Sequence, residues 1–130
     1  MAEASHVVHK FSTGYVYGLD KKQSTQFAQE LTSALGFPHH ACDSAEEVVR
    51  KSDCIFTQTP ASKQVLQLDW LKPHATIIAS GSDQPTKNEL PVDVMKKSKF
   101  ISDLTRQCSR VGLQFRLTNF LFILYYSNRC

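Results

Sequence analysis

A chain of 130 residues, 42% hydrophobic and 21% charged, has the composition of one ordinary folded domain and excludes a low-complexity or disordered polymer. Its 15 lysines and arginines lie dispersed among 12 acids for a net charge of +3, which argues against a nucleic-acid partner. The four cysteines lack C-x-x-C spacing and read as reduced thiols, MAEASHVVHKFS has no apolar signal core, and the apolar run at 120–126 falls short of the ~20 residues a bilayer span needs; a cytoplasmic protein without a membrane partner is expected.

Residues 15–19 read as a strand and 21–35 as a helix, because Phe27, Leu31, Ala34 and Leu35 recur at helical spacing. Asp20 stands where an N-cap belongs, with Gln23 three residues on to complete a box, and Gly36 followed by Pro38 marks the C-terminus. His39, His40 and Cys42 carry metal-binding side chains, but neighbours on a strand point to opposite faces and the sequence offers no second ligand pair, so no metal is expected. Ser44 opens a further helix, with Glu47 placed to close a capping box and Val48 and Val49 turned inward.

Residues 54–57 then form a strand that ends in Thr57, Gln58, Thr59 and Pro60. A short helical turn at 69–71 carries Trp70, whose ring should lie under the loop after the strand. A second strand at 75–79 ends in Ser80, Gly81, Ser82 and Asp83. A helix at 92–97 follows, with Lys96, Lys97 and Lys99 at its end where cations suit the macrodipole, and residues 100–102 make another strand. Strands alternating with helices specify an α/β fold, a parallel sheet with helices on its faces.

In such a sheet, ligands sit beyond the carboxyl ends of the strands, so the two small, polar strand exits fixed by Pro60 and Pro85 mark a candidate site. Residue type alone leaves each role open. Asp83 can be a turn residue, Asp20 a helix cap, Thr59 a strand end and Lys87 a surface lysine.

The run I-A-S-G-S-D-Q-P-T-K-N-E-L at 78–90, preceded by Asp69-Trp70-Leu71-Lys72-Pro73, resembles the ornithine cyclodeaminase/mu-crystallin family, whose dinucleotide domain carries N-A-V-G-x-D-x-P-x-K-x-E-L there. A looser resemblance covers residues 15–112. It implies that residues 1–112 form a partial Rossmann-like, doubly wound parallel sheet binding NAD, with NADP possible. It further implies a catalytic Asp83 and cofactor contacts at Thr59, Ser80, Gly81, Ser82 and Lys87, with Asp20 at an acidic position near the adenosine ribose.

In a complete enzyme of this family, hydride leaves the α-carbon of an amino acid such as ornithine, and Asp83 would handle the proton while ammonia is lost and the ring closes. Related members reduce imines or oxidise alanine, and the alternative readings of this chain are a ketimine reductase/alanine dehydrogenase-type oxidoreductase of the same family or a non-catalytic, mu-crystallin-like binding remnant. An amino-acid substrate and a homodimer are the partners the family implies.

The sequence departs from the family at Ile78, where Asn is usual, and at Gly18, where an acidic residue stands. Gly14 and Gly18 alone cannot supply the G-x-G-x-x-G turn that grips a pyrophosphate, and the family's substrate half has no counterpart. The expectation is therefore a fragment that is inactive alone. Residues 113–130, LQFRLTNFLFILYYSNRC, leave the family pattern and read either as a translation artefact or as a hydrophobic element packing on a sheet edge.

Overall fold

A fifteen-residue helix, Lys21–Leu35, occupies much of the first part of the chain, and its ends show why it starts and stops where it does. Asp20, in extended backbone, accepts at Oδ1 from the amides of Lys22 (2.8 Å) and Gln23 (3.2 Å), which the first turn of a helix leaves without partners. Gly36 takes the left-handed conformation (φ 75°) and returns its N–H to the Thr32 carbonyl at 3.0 Å. The computed structural model describes residues 2–81, 87–99, 101, 102 and 106, and the chain divides into two units, Met1–Ser52 and Asp53–Cys130.

The first unit contains, in order, α1 (Ala2–Val8), β1 (Gly14–Val16), α2 (Lys21–Leu35), β2 (His39–Ala41) and α3 (Ala45–Lys51). β1 and β2 pair in parallel, Gly14 opposite His39 and Val16 opposite Ala41, with α2 as the crossover that parallel strands require. The helix turns Ser24 and Ala28 to the interior, whereas Phe27 is 51% exposed and Ala34 is exposed. The expected apolar stripe of Phe27, Leu31, Ala34 and Leu35 is thus rotated toward smaller side chains. Close approach explains this: a Cβ on Gly18 would stand only 3.1 Å from Ser24 Oγ, so bulk on that face would push the helix off the chain leaving β1.

The His39 ring lies across Gly14, where a Cβ would come within 2.6 Å of its Nε2. Phe37 stacks on His39 (centroids 4.4 Å apart) and on His6 (4.5 Å). His6 ties down α1, a helix that the sequence reading did not anticipate and that buries none of its residues. α3 begins as expected, with Ser44 Oγ accepting from the Glu47 amide at 3.1 Å. The return bond falls one residue early, because Glu47 Oε2 accepts from the Asp43 amide (3.0 Å) while Oε1 takes Lys51 (2.6 Å).

The second unit holds β3 (Cys54–Thr57), a 3-10 turn (Leu68–Trp70), β4 (Thr76–Ala79) and α4 (Val92–Lys97). β3 and β4 are parallel, with Ile55 opposite Ile77 and Thr57 opposite Ala79. Ile55, Leu66, Leu90, Val94 and Met95 form the buried core of this unit. β4 starts one residue later than expected, since the Ala75 amide closes a turn onto the Lys72 carbonyl (3.1 Å). Trp70 is half-buried.

The expected strand at 100–102 does not form at Ile101 and Ser102: Ser98 ends α4 by donating to Met95, and Ile101 is 62% exposed with no strand beside it among the described residues. Phe100 and the tail at 113–130 lie outside the described residues. All described strand pairing is parallel, β1 with β2 across α2 and β3 with β4 across the 3-10 turn, in keeping with the α/β reading. Among the described residues no helix is long and apolar enough to cross a membrane.

Candidate functional site at the strand exits

β3 and β4 run side by side, so their carboxyl ends deliver two loops to one edge of the sheet. Thr57 and Thr59 are two residues apart in extended chain, and their hydroxyls therefore fall on the same side. Both meet the carboxylate of Glu89, a side chain with no exposed surface. Thr57 donates to Glu89 Oε2 at 2.9 Å, and Thr59 donates to Oε1 through its hydroxyl (2.7 Å) and its amide (2.6 Å). Gly81, at the exit of β4, donates its amide to Oε2 at 3.1 Å. Hydrogen bonds to the ionised form are how a protein keeps a buried carboxylate, and each oxygen here accepts one backbone N–H and one hydroxyl.

The same edge is tied by the backbone. The Ser80 and Gly81 amides both donate to the Thr57 carbonyl, at 3.0 and 3.2 Å. The Glu89 carbonyl accepts from Val65 at 2.9 Å, which pins the segment carrying the carboxylate against the loop after β3. A side chain on Gly81 would meet the carboxylate, with a Cβ 2.6 Å from Glu89 Cδ, so glycine is required there by contact rather than by φ.

Of the residues singled out in the sequence, Thr59 and Gly81 converge on Glu89, and Ser80 stands beside them with its side chain exposed. Lys87 is half-buried, two residues before the carboxylate. Asp20 belongs to the first unit, where its carboxylate caps α2. Ser82 and Asp83 lie outside the described residues. Among the described residues no cluster of three His, Cys, Asp or Glu could hold a metal ion.

Glu89 was the residue missed. Its signal was available: two threonines two apart at a strand end need one acceptor, and an acid immediately before the buried Leu90 and Pro91 is in position to supply it. A broad open cleft of about 730 Å³ in the same unit is lined by Gln64, Leu68, Asp69, Val92, Asp93 and Lys97, and no strand-exit residue borders it. Burial raises the Cys54 thiol at the start of β3, and in the first unit burial, reinforced by Glu47, raises Cys42.

The exit amides face inward onto a carboxylate, so they are not available to an anionic phosphate. Gln58 and Ser80 are both exposed at this edge, the Ser80 hydroxyl lying 3.4 Å from the Thr57 carbonyl to which it donates.

A model of the ornithine cyclodeaminase/mu-crystallin family matches residues 1–119. The ketimine reductase mu-crystallin of Macropus fuliginosus is 35% identical over 81 residues, 62% of this chain and 24% of that protein. An archaeal alanine dehydrogenase dimer solved with bound NAD superposes with a TM-score of 0.81 at 28% identity, over 89% of this chain and 35% of the other. The Δ1-pyrroline-2-carboxylate reductase of Thermococcus litoralis, solved with NADH and L-proline, superposes at 0.84 with 24% identity over 90% and 36%, a likeness that shows the fold. The chain spans a third or less of the length of the curated relatives it matches. Its fold is thus Rossmann-like and covers part of these larger proteins.

Proposed function

Because the chain belongs to the ornithine cyclodeaminase/mu-crystallin family, we propose that it is the dinucleotide-binding part of an oxidoreductase that interconverts a small amino acid and its imine with NAD. The observation that carries this reading is the superposition on an alanine dehydrogenase holding NAD, over 89% of this chain at 28% identity. The exposed Gln58 and Ser80 at the exits of parallel strands support it. NADP is the alternative cofactor.

When bound, the dinucleotide supplies hydride transfer at the substrate α-carbon. The chain's own residues do the positioning and the proton work. Thr59, Ser80 and Gly81 form the strand-exit edge on which the cofactor ring would rest, and Ser82 and Lys87 are the further cofactor contacts that the family resemblance implies. Asp83, the acid that the family resemblance makes catalytic, holds or releases a proton at the substrate nitrogen. Asp20, already spent on two helix amides, approaches the adenosine ribose only as a shared acceptor.

The family model favours a second reading, in which the same chemistry ends in ammonia loss and ring closure, as with ornithine. We read residues 1–112 as the dinucleotide part, residues 113–130 as a separate hydrophobic segment, and the assembly as a cytoplasmic homodimer. Without a G-x-G-x-x-G run the 130-residue chain has no turnover by itself, neither ammonia release from ornithine nor imine reduction. Calorimetric titration of the folded, monodisperse chain with NADH and with NADPH tests the binding. Saturation at a Kd of about 100 µM or tighter, near −5.5 kcal/mol, supports the reading, and no heat of binding overturns it.

A further inference from the structure

The structure assigns Glu89 as a positioning residue: its buried carboxylate is an internal anion that locks the exits of β3 and β4 together and fills an amide cradle that would otherwise take a phosphate or another small anion. Four observations carry this. The carboxylate is fully buried, and its four donors come from three residues at two strand exits, Thr57 at the end of β3, Thr59 in the loop beyond with both amide and hydroxyl, and Gly81 just past β4. Each oxygen holds one backbone amide, Thr59 on Oε1 and Gly81 on Oε2, so both ends of the carboxylate are committed. Its own carbonyl is fixed by Val65. The absence of a side chain at Gly81 leaves the space that the carboxyl group occupies.

The chemistry of the group follows. A carboxylate accepts on both oxygens, whereas a carboxamide accepts on one and donates from the other. Glutamine at 89 would therefore face one backbone N–H with an N–H of its own, whichever way it turned. With the negative charge in place, an anionic group of a ligand is repelled from these amides and only uncharged groups dock over the edge. This last consequence rests on the function proposed above; the lock itself does not.

The test reads the two separately, using the full chain. In amide NMR spectra the Thr59 and Gly81 protons lie downfield in the wild type, as charge-assisted donors do. In Glu89→Ala both move upfield, and formate, but not formamide, returns them. In Glu89→Gln, which keeps the side-chain volume, one of the two moves and the other stays. NADH affinity falls by about tenfold or more in both variants, in line with loss of a hydrogen bond to a charged group, and formate restores it in Glu89→Ala.

Amide protons that do not move in either variant overturn the lock. Variants that bind NADH as tightly as the wild type overturn the positioning role. A wild-type chain that binds no NADH refutes the proposed function while the amide readout still decides the lock. Phosphate shifting the same two amides in Glu89→Ala, and not in the wild type, supports the filled cradle.

Discussion

Gly81 and Glu89 are fitted to one another: the carboxyl group occupies the volume that any side chain at 81 would need, with Cδ 2.6 Å from the Cβ position. Gly81→Ala should therefore destabilise the second unit by about 1–3 kcal/mol through overpacking of a buried group. Urea unfolding checks it, and an unchanged midpoint sinks the idea. The loss should be smaller when Glu89→Ala is already present, since the two substitutions share one contact.

Gly36 provides the contrast. Nothing lies within 4 Å of where its Cβ would be, but its φ is 75°, so the cost of Gly36→Ala is one of backbone conformation alone. A loss of about 1–2 kcal/mol is expected, with no change on adding any second-site truncation. Asn, which tolerates the left-handed region, should recover part of it.

Asp20→Ala should cost about 1 kcal/mol, because two amides of the first turn of α2 lose their acceptor. Asp20→Asn keeps an acceptor and should unfold near the wild-type midpoint. If alanine and wild type unfold together, the cap contributes nothing and the carboxylate is free for another task.

The stability of the first unit should fall on acidification through a group that can be named. Lys51, and then the Asp43 amide, hold the Glu47 carboxyl below its ordinary range. A carboxyl whose folded value is depressed contributes above its unfolded value, about 4.5, and loses that contribution as pH falls through the folded value. Glu47→Gln should flatten this acid limb. Salt should remove only the Lys51 part, since the pair is exposed and the amide bond is local. An identical acid limb in the variant would place the titration elsewhere.

Cys42 and Cys54 are free thiols held in the protonated form by burial. A raised folded value favours the native state below the unfolded value, near 9.0, and this support fades as pH climbs through the folded one. Both should react with a disulfide reagent far more slowly than an exposed thiol at neutral pH, and at the same rate once urea unfolds the chain. Rapid labelling of the native protein would show that these positions are open.

Elements with strong local signals were legible in the sequence. The helix Lys21–Leu35 was read to the residue because Asp20 and Gly36 act within one turn of its ends. The inward face of that helix was not, since Ser24 and Ala28 are selected by how near the strand exit must come, a tertiary distance that hydrophobic period does not encode. α1 escaped notice because it buries nothing and so leaves no apolar stripe. Thr59, Ser80 and Gly81 were found through strand-end chemistry and family pattern, yet their common partner was not. A bond spanning 30 residues, from Thr59 to Glu89, leaves no periodic trace, and only the parallel register of β3 with β4 brings its ends together.

The division of labour at this edge separates what can drift from what cannot. Glu89 is the one partner that Thr57, Thr59 and Gly81 share, so a change at Glu89 removes an acceptor from all three at once. Gln58 is exposed and makes none of these bonds to Glu89, so it can be exchanged without disturbing them. The loops that leave β3 and β4 are therefore held at their roots by one buried side chain, which leaves the exposed residues at the edge outside that constraint.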